Sequence, residues 1–230
     1  MSEIASDQGA LDIARRNMVE YQIRCCKVLE PELLDVLDTM PREDYVPQDV
    51  RSLAYMEGHV PIACDQEMLS PLQEASIMQQ LNLQGHERVL EIGTGTGYLT
   101  TLLAMHSAEV TSCELHEELS AIACKNLSDH GIENVSVIHI NAMHPDEMKN
   151  HADISSDYDV IVIGASLSKI PEHLTDLLAE NAQIIAFVGK NPVVTLIHKQ
   201  KTATSNIETS ICETLLQNME AIPQKREFIF

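Results

Sequence analysis

The sequence predicts an α/β fold in which helices flank a mainly parallel sheet. From residue 88 onward, short apolar segments alternate with segments of helical periodicity, a pattern typical of strands joined by crossover helices. The apolar segments are nearly continuous, as in Val160-Ile161-Val162-Ile163, and strands covered on both faces have this composition. At 230 residues and 44% hydrophobic residues, the chain has the size and composition of one globular domain.

Before residue 88, the pattern predicts helices with a long connection between two of them. Residues 1–9 are polar and are expected to be frayed. Helices are predicted at 10–25, 31–40 and 72–81, because apolar residues recur there at helical spacing and Pro31 suits a first turn. The stretch 41–71 holds four prolines and is predicted to be a long, ordered loop with short helical pieces.

After residue 88, the pattern predicts seven strands, of which the last two form an antiparallel edge pair. The predicted strands are 88–92, 109–113, 134–140, 158–164, 183–188, 193–199 and 208–216, and the predicted helices are 97–106, 117–130 and 171–180. Residues 1–84 are therefore interpreted as an N-terminal elaboration packed on the core, and residues 85–230 as the ligand-binding domain, within one structural domain overall.

The segment 89–97 reads Val-Leu-Glu-Ile-Gly-Thr-Gly-Thr-Gly and is the strongest indication of function. Glycine at alternate positions lets a strand turn sharply into a helix and lets the backbone approach a ligand closely. Dinucleotide-binding turns read G-x-G-x-x-G, and phosphate-binding loops end in G-K-[ST]. The G-x-G-x-G spacing here favours S-adenosylmethionine over NAD or ATP. The predicted contacts are Glu91, Gly93, Thr94, Gly95 and Gly97, and the alternative is a turn that binds nothing.

Further candidate ligands follow the next three predicted strands. Glu114 lies 21 residues after Gly93, where a carboxylate can accept hydrogen bonds from both ribose hydroxyls, although that contact alone would suit NAD equally well. Because parallel strands end at one edge of a sheet, the other candidates should lie nearby; they are Leu115, Asn141, Ala142 and Gly164. Asn141 is a candidate to accept from an adenine amino group, or else a simple turn former.

Composition narrows the partners and the compartment. The chain has 35 acidic and 15 basic residues and a formal charge of −20, which argues against nucleic acid as a partner. No apolar run approaches the length of a membrane span, and neither the six cysteines nor the ten histidines have the spacing of a metal site. Free thiols without an export signal predict a cytoplasmic protein, either a monomer or a homodimer.

The N-terminal region carries a family resemblance. Its matching segments, in order, are NMVEYQIR at 17–24, VLDTMPREDYVP at 36–47, Ala54-Tyr55 and Val60-Pro61-Ile62. With the glycine motif, they resemble the protein-L-isoaspartate O-methyltransferase family through most of residues 17–190. The resemblance implies a Rossmann-like, class I S-adenosylmethionine methyltransferase fold. It also implies methyl transfer to the isoaspartyl carboxylate of a protein or peptide, which begins protein repair and leaves S-adenosylhomocysteine.

One segment departs from the family's pattern. In the family, the substrate is held by a segment that resembles Gln-Thr-Ile-Ser and is followed one residue later by Pro. The corresponding segment of this chain reads QEMLSP at 66–71. Gln66 fits, but Glu67 would repel a carboxylate and Leu69 can donate no hydrogen bond. Ser70, one position along, is a candidate catalytic residue or a helix cap.

This departure leaves two alternatives to isoaspartyl methylation open. One is a divergent bacterial paralogue with another substrate, cationic or apolar, and the other is a non-catalytic cofactor-binding protein. The tail at 223–230, which ends in Phe-x-Phe, also differs from the family and resembles bacterial paralogues.

Overall fold

The fold, in a computed structural model, centres on one mainly parallel seven-stranded sheet, as the sequence predicts. The structure describes residues 2–190, 192–201 and 206–219, so the tail 223–230 lies outside the described residues. The sheet strands are β3 (Arg88–Ile92), β4 (Glu109–Glu114), β5 (Val135–His139), β6 (Tyr158–Leu167), β7 (Leu178–Lys190), β8 (Val193–Lys201) and β9 (Asn206–Thr214). The strands β1 (Val60–Pro61) and β2 (Glu67–Met68) precede the sheet and form a separate hairpin.

In the strand order β5-β4-β3-β6-β7-β8-β9, β3 is the third of seven strands, so the glycine turn that follows β3 lies near the middle of the sheet. Strands β3 to β7 pair in parallel, and β8 and β9 are antiparallel, which confirms the predicted edge pair. The chain winds outward from β3 through β4 to β5 and then returns to the other side of β3 as β6. A ligand cleft is expected where the strand order reverses in this way.

The helices that follow the glycine motif cover the sheet. They are α4 (Tyr98–His106), α5 (Glu117–Asp129), α6 (Pro145–Asn150) and α7 (Glu172–Thr175). α4 and α5 match the predicted helices within about one residue. The prediction missed α6 because its six residues are too few to show a helical period.

The predicted helix 171–180 is wrong in extent. α7 ends at Thr175, and Leu178 already pairs with Tyr158 as the first residue of β7. Asn181 adopts a left-handed conformation with φ 61°, which no residue within an α-helix can have. The buried partner strand thus decides the conformation of this stretch.

The N-terminal region consists of α1 (Ser2–Met18), α2 (Pro31–Thr39), α3 (Pro71–Leu81) and shorter turns. α1 begins near residue 2, earlier than predicted, because its polar residues are acceptable helix formers without any apolar period. It ends at Met18, where the chain continues as the π-helical turn Val19–Ile23 and the 3₁₀ turn Arg24–Cys26.

The predicted loop 41–71 contains two 3₁₀ turns and a short hairpin. The turns are Arg42–Asp44 and Gln48–Leu53, and the hairpin pairs β1 (Val60–Pro61) with β2 (Glu67–Met68). Cys64 and Asp65 turn the hairpin with φ 60° and 55°. Glycine, asparagine and aspartate are the usual residues at positive φ, so Cys64 gives no sequence indication of a turn.

One apolar core joins the N-terminal region to the sheet. It includes buried residues from α1, α2 and α3 together with strand residues such as Val89 and Val162. Among the described residues, no helix is both long enough and apolar enough to cross a membrane.

Candidate active site

The carboxyl ends of β3, β4, β5 and β6 border a cleft, which we call the edge cleft. Its empty volume, including its open mouth, is about 730 Å³. Other walls come from Ile62, Gln66 and Glu67 of the hairpin and from residues 216–219. The segment 216–219 is held beside β6, because Ser166 N donates to Gln217 O (3.0 Å) and Met219 N donates to Ser166 O (2.8 Å).

The glycine turn lies at the floor of the edge cleft. Gly93 and Gly95 line it with φ 95° and 57°, and a Cβ on Gly93 would meet no heavy atom within 4 Å. On the neighbouring strand β6, a Cβ on Gly164 would lie 3.3 Å from Gly93 O. The pairing of β6 with β7 shifts register between Ile163 and Ser166. The backbones of β3 and β6 therefore approach each other closely and expose main chain to a ligand.

Gly97 lies between the glycine turn and α4. Among the described residues, it is not one of those that line the edge cleft. It precedes α4 with φ 90°, and a Cβ there would lie 3.4 Å from Cα and Cβ of Ala123 on α5. Its position corresponds to helix packing, and its contact with the cofactor stays a prediction.

Glu114 lies at the cleft wall with both carboxylate oxygens oriented by the backbone. Oε2 accepts from Gly95 N (2.9 Å) and Oε1 accepts from His116 N (3.0 Å), and the residue is 5% exposed. Each carboxylate oxygen has two lone pairs, so acceptor capacity remains on both. This arrangement presents a fixed, bidentate acceptor to a diol such as ribose.

Leu115, Asn141, Ala142 and Gly164 all line the edge cleft, next to Glu114 or across from it. The Asn141 side-chain oxygen accepts from Met143 N (3.0 Å), so it stabilises a turn, which is the simpler of the two interpretations. To bind an adenine amino group, the same oxygen would have to accept a second hydrogen bond beside the one from Met143 N, and that role stays a prediction.

Glu91 is buried beneath the glycine turn and, in the described part of the chain, is outside the set that lines the cleft. Its Oε2 accepts from Thr100 Oγ1 (2.5 Å) and from Ser112 Oγ (2.6 Å). Burial raises the pKa of Glu91 to about 7, and these two hydroxyl donors oppose the rise. Thr94 belongs to the same network, through a 2.6 Å hydrogen bond between its Oγ1 and Ser112 Oγ.

A second, smaller cavity adjoins the edge cleft, and we call it the inner cavity. Its empty volume is about 360 Å³, and it is bordered by the hairpin, the start of α3 and the start of α4. Five residues line both spaces: Ile62, Glu67, Gly93, Gly95 and Gly164. A group in the edge cleft can therefore meet a group in the inner cavity at the glycine turn.

Arg42 organises the wall of the inner cavity. Its guanidinium is fully buried, donates to Ala54 O (2.8 Å) and Leu69 O (2.6 Å), and forms a hydrogen-bonded ion pair with Glu74. It also lies 4.8 Å above the centre of the Tyr98 ring. Burial raises the pKa of Glu74, while Arg42 opposes that rise.

The first four residues of the segment 66–71 lie along the two spaces, and the role of the segment in binding the acceptor stays a prediction. Glu67 lines both spaces, with its half-exposed carboxylate 3.4 Å from His59 Nδ1, and Leu69 lines the inner cavity. Gln66 lines the edge cleft, where its Nε2 donates to Cys64 O (3.2 Å).

Ser70 is a helix cap in this structure. Gln73 N donates to Ser70 Oγ (3.3 Å), and Ser70 N donates to Gln73 Oε1 (2.8 Å), which completes a capping box. It is not among the described residues that line either space. The alternative interpretation of Ser70 therefore fits the geometry better than the catalytic one.

The family of the chain is decided by a sequence model that matches residues 14–216 and describes protein-L-isoaspartate(D-aspartate) O-methyltransferase. The chain belongs to this methyltransferase family. Relatives named protein-L-isoaspartate O-methyltransferase include one from Methanoculleus marisnigri, 33% identical over 76% of this chain and 77% of the relative. Another, from Rhodopseudomonas palustris, is 31% identical over 92% of this chain and 83% of the relative.

A solved structure from Plasmodium falciparum shares the fold. It is described as a protein-L-isoaspartate O-methyltransferase in complex with S-adenosyl-L-homocysteine. It aligns with a TM-score of 0.73 and 22% identity and covers 89% of this chain and 97% of that one. The family and the fold predicted from the sequence are both confirmed.

The structure adds site residues that the sequence reasoning did not select. Thr96 and Tyr98 line the inner cavity, and residues 216–219 line the edge cleft. Tyr98 directly follows the last glycine of the motif, so the start of α4 could have pointed to it. The segment 216–219 shows no periodicity, and only its pairing with β6 reveals its position.

Proposed function

We propose that this protein is a cytoplasmic S-adenosylmethionine-dependent O-methyltransferase that methylates isoaspartyl carboxylates in proteins or peptides. The observation that carries the proposal is the junction of the edge cleft and the inner cavity at Gly93, Gly95 and Gly164. The names of the relatives support the same activity. All six cysteines are free of disulfides, which supports the compartment.

The edge cleft fits the cofactor by the chemistry of its donors and acceptors. Glu114 presents two fixed carboxylate oxygens to the ribose, and the backbone at Gly93 leaves room for the part of the ligand that passes the turn. Ala142 and Leu115 provide apolar wall for the base. Gly95 N is committed to Glu114, so the turn and the ribose acceptor hold each other in place.

The reaction requires positioning and no general base. When bound, S-adenosylmethionine supplies a sulfonium methyl group, which a carboxylate oxygen takes to give a methyl ester and neutral S-adenosylhomocysteine. A carboxylate with a reference pKa of about 3.9 is already ionised at neutral pH. The residues of the inner cavity therefore have to orient the acceptor and exclude water.

The proposal is tested by methyl transfer from labelled S-adenosylmethionine to an isoaspartyl peptide, with the aspartyl peptide of the same sequence as control. We expect a base-labile methyl ester on the isoaspartyl peptide alone. S-adenosylhomocysteine binding without ester would leave the cofactor site standing and contradict the activity, and it would favour a non-catalytic cofactor-binding protein.

Glu67 favours a second candidate, a methyltransferase for an amine that enters as a cation, passes one proton to the Glu67 carboxylate and takes the methyl group on the freed nitrogen lone pair. Its carboxylate is at the junction of the two spaces, where the acceptor has to lie. If it selects a cation, the double change Glu67→Thr plus Leu69→Ser should raise turnover of an isoaspartyl peptide and lower turnover of a lysyl peptide. Unchanged turnover of both peptides would remove this candidate.

A further inference from the structure

The inner cavity is lined by two residues, Thr96 and Tyr98, whose buried hydroxyl groups hold no hydrogen bond to another described residue. Thr96 and Tyr98 both line it and are only 4% and 2% exposed. Within the part of the chain that the structure describes, neither Thr96 Oγ1 nor Tyr98 OH has a hydrogen-bond partner. Buried polar atoms in folded proteins nearly always have partners, so two orphans on one cavity wall indicate a polar ligand.

The Tyr98 ring is packed between two neighbouring side chains at the wall of the inner cavity. The Arg42 guanidinium covers one face at 4.8 Å, and the Tyr45 ring meets it edge to face at 5.2 Å. Tyr45 is itself fixed, because its hydroxyl shares a 2.9 Å hydrogen bond with Thr101 Oγ1. Burial raises the pKa of Tyr98, so the phenol stays protonated and can donate.

The charges around the two hydroxyls permit an anionic ligand. Glu74 lines the same cavity, but the ion pair with Arg42 offsets its charge. The carboxylate of Glu67 is half exposed and lies beside His59. Thr96 and Tyr98 are at the N-terminal end of α4, where the helix dipole favours negative charge.

We propose that Thr96 Oγ1 and Tyr98 OH donate hydrogen bonds to the acceptor carboxylate in the inner cavity. The inference rests on the proposed function and names the residues that bind its substrate. The two hydroxyls replace positions 67 and 69 as hydrogen-bond donors to the acceptor, since neither Glu67 nor Leu69 can donate to a carboxylate.

The variants Tyr98→Phe and Thr96→Val remove the two hydroxyls with little change in shape. Tyr158→Phe is the matched control, because Tyr158 is fully buried and its hydroxyl accepts from Ser155 N (3.3 Å), outside both spaces. Steady-state kinetics with an isoaspartyl peptide, calorimetric binding of S-adenosylhomocysteine, and binding of the same peptide to the S-adenosylhomocysteine complex are measured for all four proteins.

We expect each hydroxyl deletion to raise the KM for the isoaspartyl peptide and weaken its binding about tenfold or more, because each removes a hydrogen bond to a charged group. Affinity for S-adenosylhomocysteine should stay within about twofold, and Tyr98→Phe should not lower Tm, since the lost hydroxyl had no partner to lose. A merely structural tyrosine would lower Tm instead. The control should match the wild type in KM, peptide binding and affinity for S-adenosylhomocysteine, and it should lower Tm because Ser155 N loses its acceptor.

The outcomes separate the inference from the proposed function. Wild-type turnover that neither deletion changes would overturn the carboxylate site and leave the function standing. Peptide that binds the wild type, fails to bind the two variants and is methylated by none of them would overturn the function and support the site. A wild type that neither binds nor methylates the peptide would overturn both.

Discussion

At the scale of single residues, Glu114 is expected to determine cofactor affinity. Glu114→Gln replaces one acceptor oxygen with an NH₂ group, which would face a backbone N–H and could not accept from ribose. Hydrogen bonds to charged groups are worth about 1.5–3 kcal/mol, so S-adenosylhomocysteine should bind about 10- to 100-fold more weakly. Isothermal titration calorimetry measures the change.

The control for this prediction is Glu109→Gln on the same strand. Glu109 is exposed and pairs with Arg88 at the opposite end of β4, so its substitution should leave cofactor affinity unchanged. Equal affinity of wild type and Glu114→Gln would show that the cofactor does not use this carboxylate.

Glu91 gives the free energy of unfolding a pH dependence near neutrality. Its pKa in the folded protein is raised to about 7, so the folded state binds this proton more tightly than the unfolded chain. The contribution of protonated Glu91 to stability is full below about pH 4.5 and is lost as the pH rises to about 7. Glu91→Gln stays neutral throughout and lacks this loss.

Urea unfolding of the wild type and Glu91→Gln at about pH 5.5 and pH 8 tests the shift. The unfolding free energy of Glu91→Gln minus that of the wild type should increase by about 2 kcal/mol from the lower to the higher pH. An advantage that does not change with pH would mean that Glu91 titrates in its ordinary range.

At the residue scale, the sequence predicts which candidate residues lie together better than it predicts their roles, and their contacts with the cofactor stay predictions. Gly93, Gly95, Glu114, Leu115 and Ala142 line the edge cleft as expected. The motif also includes Glu91 and Gly97, whose places under the turn and against α5 depend on packing that spacing does not encode. Tyr98 could have been selected because it directly follows the last glycine of the motif, whereas Thr96 becomes a candidate only when the start of α4 and the hairpin are placed around one cavity.

At the scale of elements, Gly97 sets the contact between α4 and α5. Gly97→Ala would place a methyl group 3.4 Å from Ala123 at a backbone with φ 90°. Gly131→Ala is the control, since Gly131 has φ 67° and a Cβ there would meet no heavy atom within 4 Å. We expect the control to lose about 1 kcal/mol through backbone strain. Gly97→Ala should lose about 1 kcal/mol more, because φ 90° lies outside the usual left-handed region and the methyl group would contact Ala123.

Urea unfolding of both glycine variants measures the difference. Equal losses would mean that the interface between α4 and α5 adapts to the methyl group without cost.

The elements that the sequence predicts well are those with a strong local period. The strand Arg88–Ile92 and the helix Tyr98–His106 fall where the pattern places them. The first residues of β7 and the hairpin do not, because their conformation depends on a partner strand or on left-handed residues such as Cys64 and Asn181. Local propensity gives no indication of such long-range constraints.

At the scale of the whole molecule, Arg42 holds the N-terminal region together, because it binds Ala54 O, Leu69 O and Glu74 within that region and contacts the core through the Tyr98 ring. Its ion pair with Glu74 is buried, and breaking a buried pair by removing one partner costs about 3–5 kcal/mol. Arg42→Met should therefore destabilise the protein by this amount in urea unfolding. The double change Arg42→Met plus Glu74→Met should recover only part of the loss: no buried charge is left unpaired, but Ala54 O and Leu69 O still lack their donor.

The exposed pair between Arg88 and Glu109 provides the comparison. Arg88→Met should cost less than about 1 kcal/mol, as is usual for a surface ion pair. A similar cost for Arg42→Met would mean that the N-terminal region does not depend on the buried pair.

The central claim is that the protein transfers a methyl group to an isoaspartyl carboxylate at the junction of the edge cleft and the inner cavity. The most direct test is mass spectrometry of one mixture of three peptides that differ at a single isoaspartyl, aspartyl or lysyl residue, incubated with the protein and S-adenosylmethionine. A single methyl ester on the isoaspartyl peptide alone is the expected result. A methyl group on the lysyl peptide, or on no peptide while S-adenosylhomocysteine still binds, would contradict the claim.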